Sequence, residues 1–345
     1  MGTAILLLSP LTKGCGNFST IHRICSHLEG AGYSCILWDP DTIHDTEEIQ
    51  EISRRHNIKM VLALHAYKAG RHLLGTPLPY ILIFGGTDVN VYTAENDKMK
   101  VMTEVVSHAK AIISFNQSLL DTAMKLWPSL DADKCFEIKQ AVVTCPSNFS
   151  IIDHLRQSAG VTIPSDPKIF LFVGGVRPVK DPLYLVKHFG EFHKRRKDVF
   201  YVFLGSMADA NFCDEFTAGI NGIPGVVHIP GLSLEDTHGA IKNSFALVNS
   251  SRSEGMAVAI LEAMDLGVPV LVRDIPGNRS IVTNGTNGLV FTSPEEFIQK
   301  CDLLLDDPTV RPMLVSKATE YISKHHNVAD ERTKYIKITS IVLDP

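Results

Sequence analysis

Two glutamates, Glu254 and Glu262, stand eight positions apart in the stretch NSSRSEGMAVAILEAMDLGVPVLVRD, Asn249 to Asp274, in otherwise small and apolar company. A carboxylate in such surroundings needs compensation, so the pair asks for a ligand or a partner. The run FALVNSS reads as a buried strand and SRSEG as a loop in which Gly255 takes backbone angles closed to other residues. AVAILEAMDL reads as a helix that starts near Met256 or Ala257 and is stopped by Gly267 and Pro269. At 1.5 Å per helical residue the two carboxylates lie up to about 12 Å apart along the chain, too far to share a proton and comparable with a nucleotide sugar. Between them the opening N–H groups of the helix, near Gly255, Met256 and Ala257, favour a phosphate. The plainer reading makes Glu254 a solvated loop residue and Glu262 a partly exposed helix residue. Against it stands the place of the loop, at the carboxyl end of a parallel strand, where open α/β sheets bind ligands.

A second candidate lies in FLFVGGVRPVKDPLYLVKHF, a strand, a glycine turn and a helix with Asp181 as N-cap and Pro182 at the first helical position. Arg177 and Lys180 then sit before a second helix N-terminus. A planar fork and a point charge together suit a diphosphate, although surface cations beside a turn are the bland alternative. The cluster HKRRKD, His193 to Asp198, reads as the solvated end of the same helix.

Near the amino end, LTKGCGNFST pairs a glycine turn with a helix, and the next strand ends at Asp39. The pattern invites a dinucleotide reading, but Ser19 stands where the third glycine of G-x-G-x-x-G belongs. Asp39, Pro40 and Asp41 spell a D-x-D, which is common by chance and reads as a loop. Asp88, in YILIFGGTDVNVY, and His65, at the end of VLALHAY, complete the candidates. For His65 a packed strand-end ring is the equal alternative.

The elements that must hold these residues alternate. TAILLLS, YSCILW, KMVLALH, YILIFG and AIISF are short branched runs separated by amphipathic stretches, as strand-helix-strand units around a parallel sheet require. The alternation loosens after FEIKQAVVTCP and restarts at KIFLFVGG, followed by VFYVFLG, GVVHIPG, FALVNSS and PVLVRD. The fold class is therefore α/β. At 345 residues the chain exceeds one ordinary core, so two Rossmann-like domains facing each other across a cleft are expected. Their expected limits are 1–150 and 167–325, with a linker at 151–166 and a final helix, 326–345, packing back. A formal net charge of −5, with the HKRRKD cluster read as a helix end, points to no nucleic-acid surface, and no apolar run is long enough for a transmembrane segment. The seven cysteines form no C-x-x-C pair, so reduced, mostly buried thiols and a cytoplasmic address are expected.

The stretch SEGMAVAILEAMDLGVPVLVRDIPGN and TNGLVF after it resemble the donor-binding region of retaining GT-B glycosyltransferases of the family 4, or group 1, type, with their paired glutamates and glycine-proline-valine exit. By that resemblance Glu254 faces the donor sugar, Glu262 binds the ribose, backbone near Gly255, Met256 and Ala257 holds the distal phosphate, and Lys180 and Arg177 hold the diphosphate. The Gly14, Gly16 and Asn17 loop then reaches toward the donor phosphates and acceptor. The family arginine position is here Gly175, with Arg177 two residues later, and the family histidine before Gly-Thr-Asp is here Gly85. His65 is the candidate to replace that histidine on the acceptor side, beside Asp88. The resemblance implies a retaining, metal-independent hexosyltransferase that needs no cofactor beyond a nucleotide-diphosphate sugar as co-substrate; acceptor and oligomeric state are not legible. A non-catalytic nucleotide-sugar-binding or regulatory protein of the same fold is the alternative, and an NAD-dependent oxidoreductase the third.

Overall fold

A computed structural model describes residues 2–12, 16–158 and 162–344 of the chain. The branched apolar runs become strands β1 (Ala4–Leu8), β2 (Ser34–Trp38), β3 (Ile58–Leu64), β4 (Tyr80–Ile83), β5 (Ala111–Ser114) and β6 (Cys135–Glu137) of one sheet, in the order β2-β1-β3-β4-β5-β6. A second sheet holds β7 (Lys168–Val173), β8 (Val199–Leu204), β9 (Val226–Ile229), β10 (Ala246–Asn249), β11 (Val270–Arg273) and β12 (Leu289–Phe291), in the order β12-β11-β10-β7-β8-β9. Every pairing is parallel. Parallel sheets bury both faces, which is why β1 and β8 are buried at every position while the edge strand β2 is half-buried. Side-chain alternation divides the second core by face: Ile169 and Leu171 pack with Ile260 and Met264, whereas Phe170 and Phe172 pack with Phe189, Phe203 and Phe297.

Each sheet reverses its winding once. The chain runs outward from β1 to β2 and then crosses to β3, so the reversal falls between β1 and β3; in the second sheet it falls between β7 and β10. Loops leaving the carboxyl ends at such a point diverge and leave room for a ligand.

The chain divides into two compact units, Met1–Ala141 with His326–Pro345, and Val142–His325. The division differs from the expected limits of 150 and 167. Residues 151–166, read as a linker from their polar residues and prolines, contain the helix Ile151–Ser158, and its Ile151 and Leu155 are fully buried in the second core. An apolar i, i+4 pair is enough to dock a helix whose other face is polar.

The final helix Val328–Leu343 belongs to the first unit, where it packs on the helix Gly16–Glu29. Its Glu331 is 2% exposed and fully engaged: Oε2 accepts from Arg23 Nε at 2.7 Å and His27 Nε2 at 2.8 Å, and Oε1 from Arg23 Nη2 and the Ala141 N–H, each at 3.0 Å. Burial pushes this carboxyl up, but His27, Arg23 and the Ala141 amide outweigh it and hold it below the usual range. The ring of His326 meets the Gln140 carbonyl at 2.7 Å.

Two smaller expectations also change. His193 is buried at the end of its helix, with Nδ1 on the Val199 carbonyl, because the chain turns back directly into β8. Arg195 and Arg196 of the same cluster pair with Asp302. The described cysteines are free thiols, but only Cys25 and Cys301 are buried; the others sit on half-covered or open elements.

Candidate functional site

At the winding reversal of the second unit, the loop after β7 and the loop after β10 are laced together. Ser250 Oγ donates to the carbonyls of Lys180 and Asp181 at 3.2 and 3.1 Å, and the Arg252 N–H donates to the Val179 carbonyl at 2.9 Å. Asp181, expected as a helix cap, makes no side-chain cap bond. Its left-handed backbone (φ 45°) turns the carboxylate toward Arg252 Nε at 2.9 Å and Arg273 Nη1 at 2.7 Å. Pro182–Leu185 is accordingly a 3-10 turn, and the α-helix begins at Val186. The turn at Gly277 presses against the same loop: a Cβ there would lie 2.2 Å from the Glu254 carbonyl oxygen, so only glycine fits.

The lacing brings Lys180 Nζ to 2.5 Å from Glu254 Oε1. The same oxygen accepts from Ser251 Oγ at 2.6 Å and Asn249 Nδ2 at 3.2 Å, while no described donor reaches Oε2. Burial raises this carboxyl; the Lys180 charge, with bonds from Lys180, Ser251 and Asn249, outweighs it and holds Glu254 below its ordinary value. The resemblance assigns Lys180 to the diphosphate and Glu254 to the donor sugar, and the structure places the two side chains in direct contact. Arg177 stands apart: it is exposed and bonds to no described side chain. Asn249, Ser251 and the buried Asn278, whose amide donates to Asn249 Oδ1 at 3.1 Å, were not singled out from the sequence; the only signal for the first two was their place at a strand end.

Gly255, Met256 and Ala257 lead into the helix Val258–Asp265, which begins slightly later than expected, with Ala257 as an extended N-cap residue. Its first N–H groups follow the Glu254 loop directly. Glu262 lies inside this helix and is 8% exposed, not the partly exposed residue of the plainer reading. Its neighbour at 3.3 Å is Nε2 of His238, a residue that no motif in the chain singles out.

The winding reversal of the first unit also carries a side-chain contact. Asn17, the second residue of the helix after β1, places Nδ2 3.0 Å from Nε2 of His65, at the end of β3. His65 Nδ1 is 3.2 Å from Asp88 Oδ2; a carboxylate can only accept, so Nδ1 carries the hydrogen and Nε2 receives the Asn17 amide. Asp88 is fully buried and is fixed by the N–H groups of Ala66, Tyr67 and Gly85. His65 has φ 83°, a strained angle for a side-chain-bearing residue. A Cβ on Gly85 would fall 2.0 Å from its ring, so the imidazole occupies the space that a side chain at 85 would enter. Gly16 opens the same helix as Asn17, and Gly14 lies outside the described residues. Asp39 receives the Leu11 and Asp41 N–H groups, which gives the D-x-D run a turn-forming role. No helix among the described residues is long and apolar enough to cross a membrane.

Two parallel, doubly wound sheets in one chain are the architecture of the GT-B glycosyltransferases, the fold that similarity to solved structures shows for this chain. The family described as Glycosyl transferases group 1 matches residues 154–321. Glycosyltransferase 1 domain-containing protein 1 of Xenopus tropicalis is 38% identical over 96% of this chain and 96% of its own. The chain therefore belongs to the group 1 glycosyl transferases. Among solved structures, Anabaena HepE in complex with UDP-glucose is similar with a TM-score of 0.80 at 14% identity, over 98% of this chain and 99% of that one. A glycosyltransferase from Rickettsia africae is similar with a TM-score of 0.77 at 17% identity, over 99% of both chains.

Proposed function

We propose that the protein is a retaining hexosyltransferase that moves a sugar from a nucleoside diphosphate sugar to an acceptor hydroxyl without a bound metal. One observation carries this reading. Three donors converge on a single oxygen of Glu254 and leave the other without a described partner, at the winding reversal where a ligand fits. Lys180 has three N–H donors and Glu254 takes one, so two remain for a diphosphate, with Arg177 nearby in the loop as a second cation. Glu254 Oε2 then accepts from hydroxyls of the donor sugar, Glu262 from the ribose, and the opening amides of Val258–Asp265 receive the phosphate. His65 and Asp88 supply the acceptor-side polar groups. In the transfer, the bond from the anomeric carbon to the diphosphate breaks and the acceptor oxygen bonds to the same face. The acceptor proton passes to the departing phosphate, whose growing charge Lys180 and Arg177 stabilise.

The test is nucleoside diphosphate release from a panel of nucleotide sugars, with the anomeric configuration of the product read by NMR. Lys180→Ala is expected to lower turnover about 100-fold or more when assayed below its melting temperature, which itself falls because Glu254 loses its cation. Undiminished transfer by that variant sinks the assignment of Lys180. Tight binding without turnover by the unaltered chain would instead support a non-catalytic donor-binding protein.

A further inference from the structure

His238, in the helix Leu234–Lys242, is 1% exposed, and both its ring nitrogens are constrained. Nδ1 accepts the backbone N–H of Cys145 at 3.0 Å, so the ring hydrogen is on Nε2. That Nε2 is 3.3 Å from Glu262 Oε1 and has no hydrogen-bond partner among the described residues. The Glu262 carboxylate, on a residue 8% exposed, is likewise without a hydrogen bond from a described donor. A buried donor and a buried carboxylate thus stand beside each other with their bonding incomplete, an arrangement that calls for a third participant.

The ring cannot easily turn away. The segment that supplies Cys145 is tied on both sides, by Thr144 Oγ1 to Asp265 at 2.5 Å and by Ser147 Oγ to Asp236 at 2.6 Å. Those anchors sit on the two helices that carry Glu262 and His238. We propose that His238 is a positioning residue for Glu262: when a nucleoside diphosphate binds, the 3.3 Å approach closes and Nε2–H fixes Oε1, so that Oε2 faces a vicinal diol, the ribose hydroxyls. This rests on the donor reading above. With Oε1 held by the ring, the carboxylate presents one orientation to the sugar, and its preference for ribose over deoxyribose depends on the ring.

The experiment measures calorimetric affinities for UDP, ADP and GDP and their 2′-deoxy counterparts, in the unaltered chain and two variants. His238→Asn keeps an acceptor for the Cys145 N–H but loses the donor toward Glu262; His238→Gln keeps a donor at the Nε2 position. The unaltered chain is expected to prefer the ribonucleotide it binds by roughly tenfold, the value of one hydrogen bond to a charged group. That ratio should collapse toward one in His238→Asn and persist in His238→Gln. Equal ratios in all three proteins, or equal loss in both variants, overturn the proposal. Failure of the unaltered chain to bind any of the three ribonucleotides overturns the donor reading itself. Should the asparagine variant not fold, the ring N–H signal in ¹⁵N-histidine spectra, assigned by its absence from His238→Gln, decides: it shifts with the ribonucleotide and not with its deoxy form. An identical response to both overturns the role of His238.

Discussion

Each unit reverses its sheet winding once, after one crossover in the first and after two in the second, and the two differ in what they place at the reversal. In the first, Asn17 meets His65 in a neutral contact backed by buried Asp88; in the second, Lys180 meets Glu254 in an ion pair. The fold therefore sets the location and leaves the chemistry to the loops. How the carboxylates are satisfied sharpens the point. Asp88 and Glu331 receive donors on both oxygens, whereas Glu254 receives three on one oxygen and none from described residues on the other. The first two hold structure together, and the third keeps one oxygen clear of described donors, as the proposed donor site requires.

That contrast can be broken by experiment. The largest effect is expected from Glu331→Gln, which strands Arg23 in a buried site and should cost about 3–5 kcal/mol of stability in urea melts while leaving nucleotide affinity unchanged. Lys180→Ala also costs stability, through the uncovered Glu254 carboxylate, but adds a loss of turnover and nucleotide affinity that Glu331→Gln lacks. If Glu331→Gln weakened nucleotide binding and left stability intact, the division between structural and ligand-facing carboxylates would be wrong.

Gly85→Ala comes next. Its methyl meets the His65 ring, so a cost of about 1–3 kcal/mol is expected, and it should largely vanish when His65→Gly is added, since glycine also accepts the φ of 83°. Additive costs in the double-mutant cycle would show that the two residues do not share that space.

The smallest effect is in acid. Glu254 and Glu331 are both held below the usual carboxyl value, so as pH falls through the range near about 4.3 the unfolded chain takes up protons first. Their stabilisation is complete above that range and is lost as pH falls through the folded-state values below it. Melts from pH 7 to pH 3 should show stability falling on acidification, with a shallower slope in Glu331→Gln; an unchanged slope would remove Glu331 from the account.

Much of this was legible in the chain. Buried parallel strands are continuous branched runs, and VFYVFL and AILLL announce themselves without help from neighbours. Lys180, Glu254 and Glu262 follow from strand-end position and helix polarity, which are local properties. What the sequence hid is tertiary. Nothing near His238 indicates that its helix will lie beside Glu262, and Glu331 is 308 positions from Arg23. Asp181 misled because aspartate before proline usually caps, whereas two arginines from other loops draw its carboxylate away. The stretch 151–166 misled because its polar residues conceal the Ile151 and Leu155 anchor.

Glu331 also orders events in time. The ribosome makes the first sheet early, yet the side chain that neutralises Arg23 and seals its helix emerges only with His326–Pro345. Val142–His325 is contiguous in the chain, whereas the flank of the first unit along Gly16–Glu29 stays uncovered until His326–Pro345 has been made.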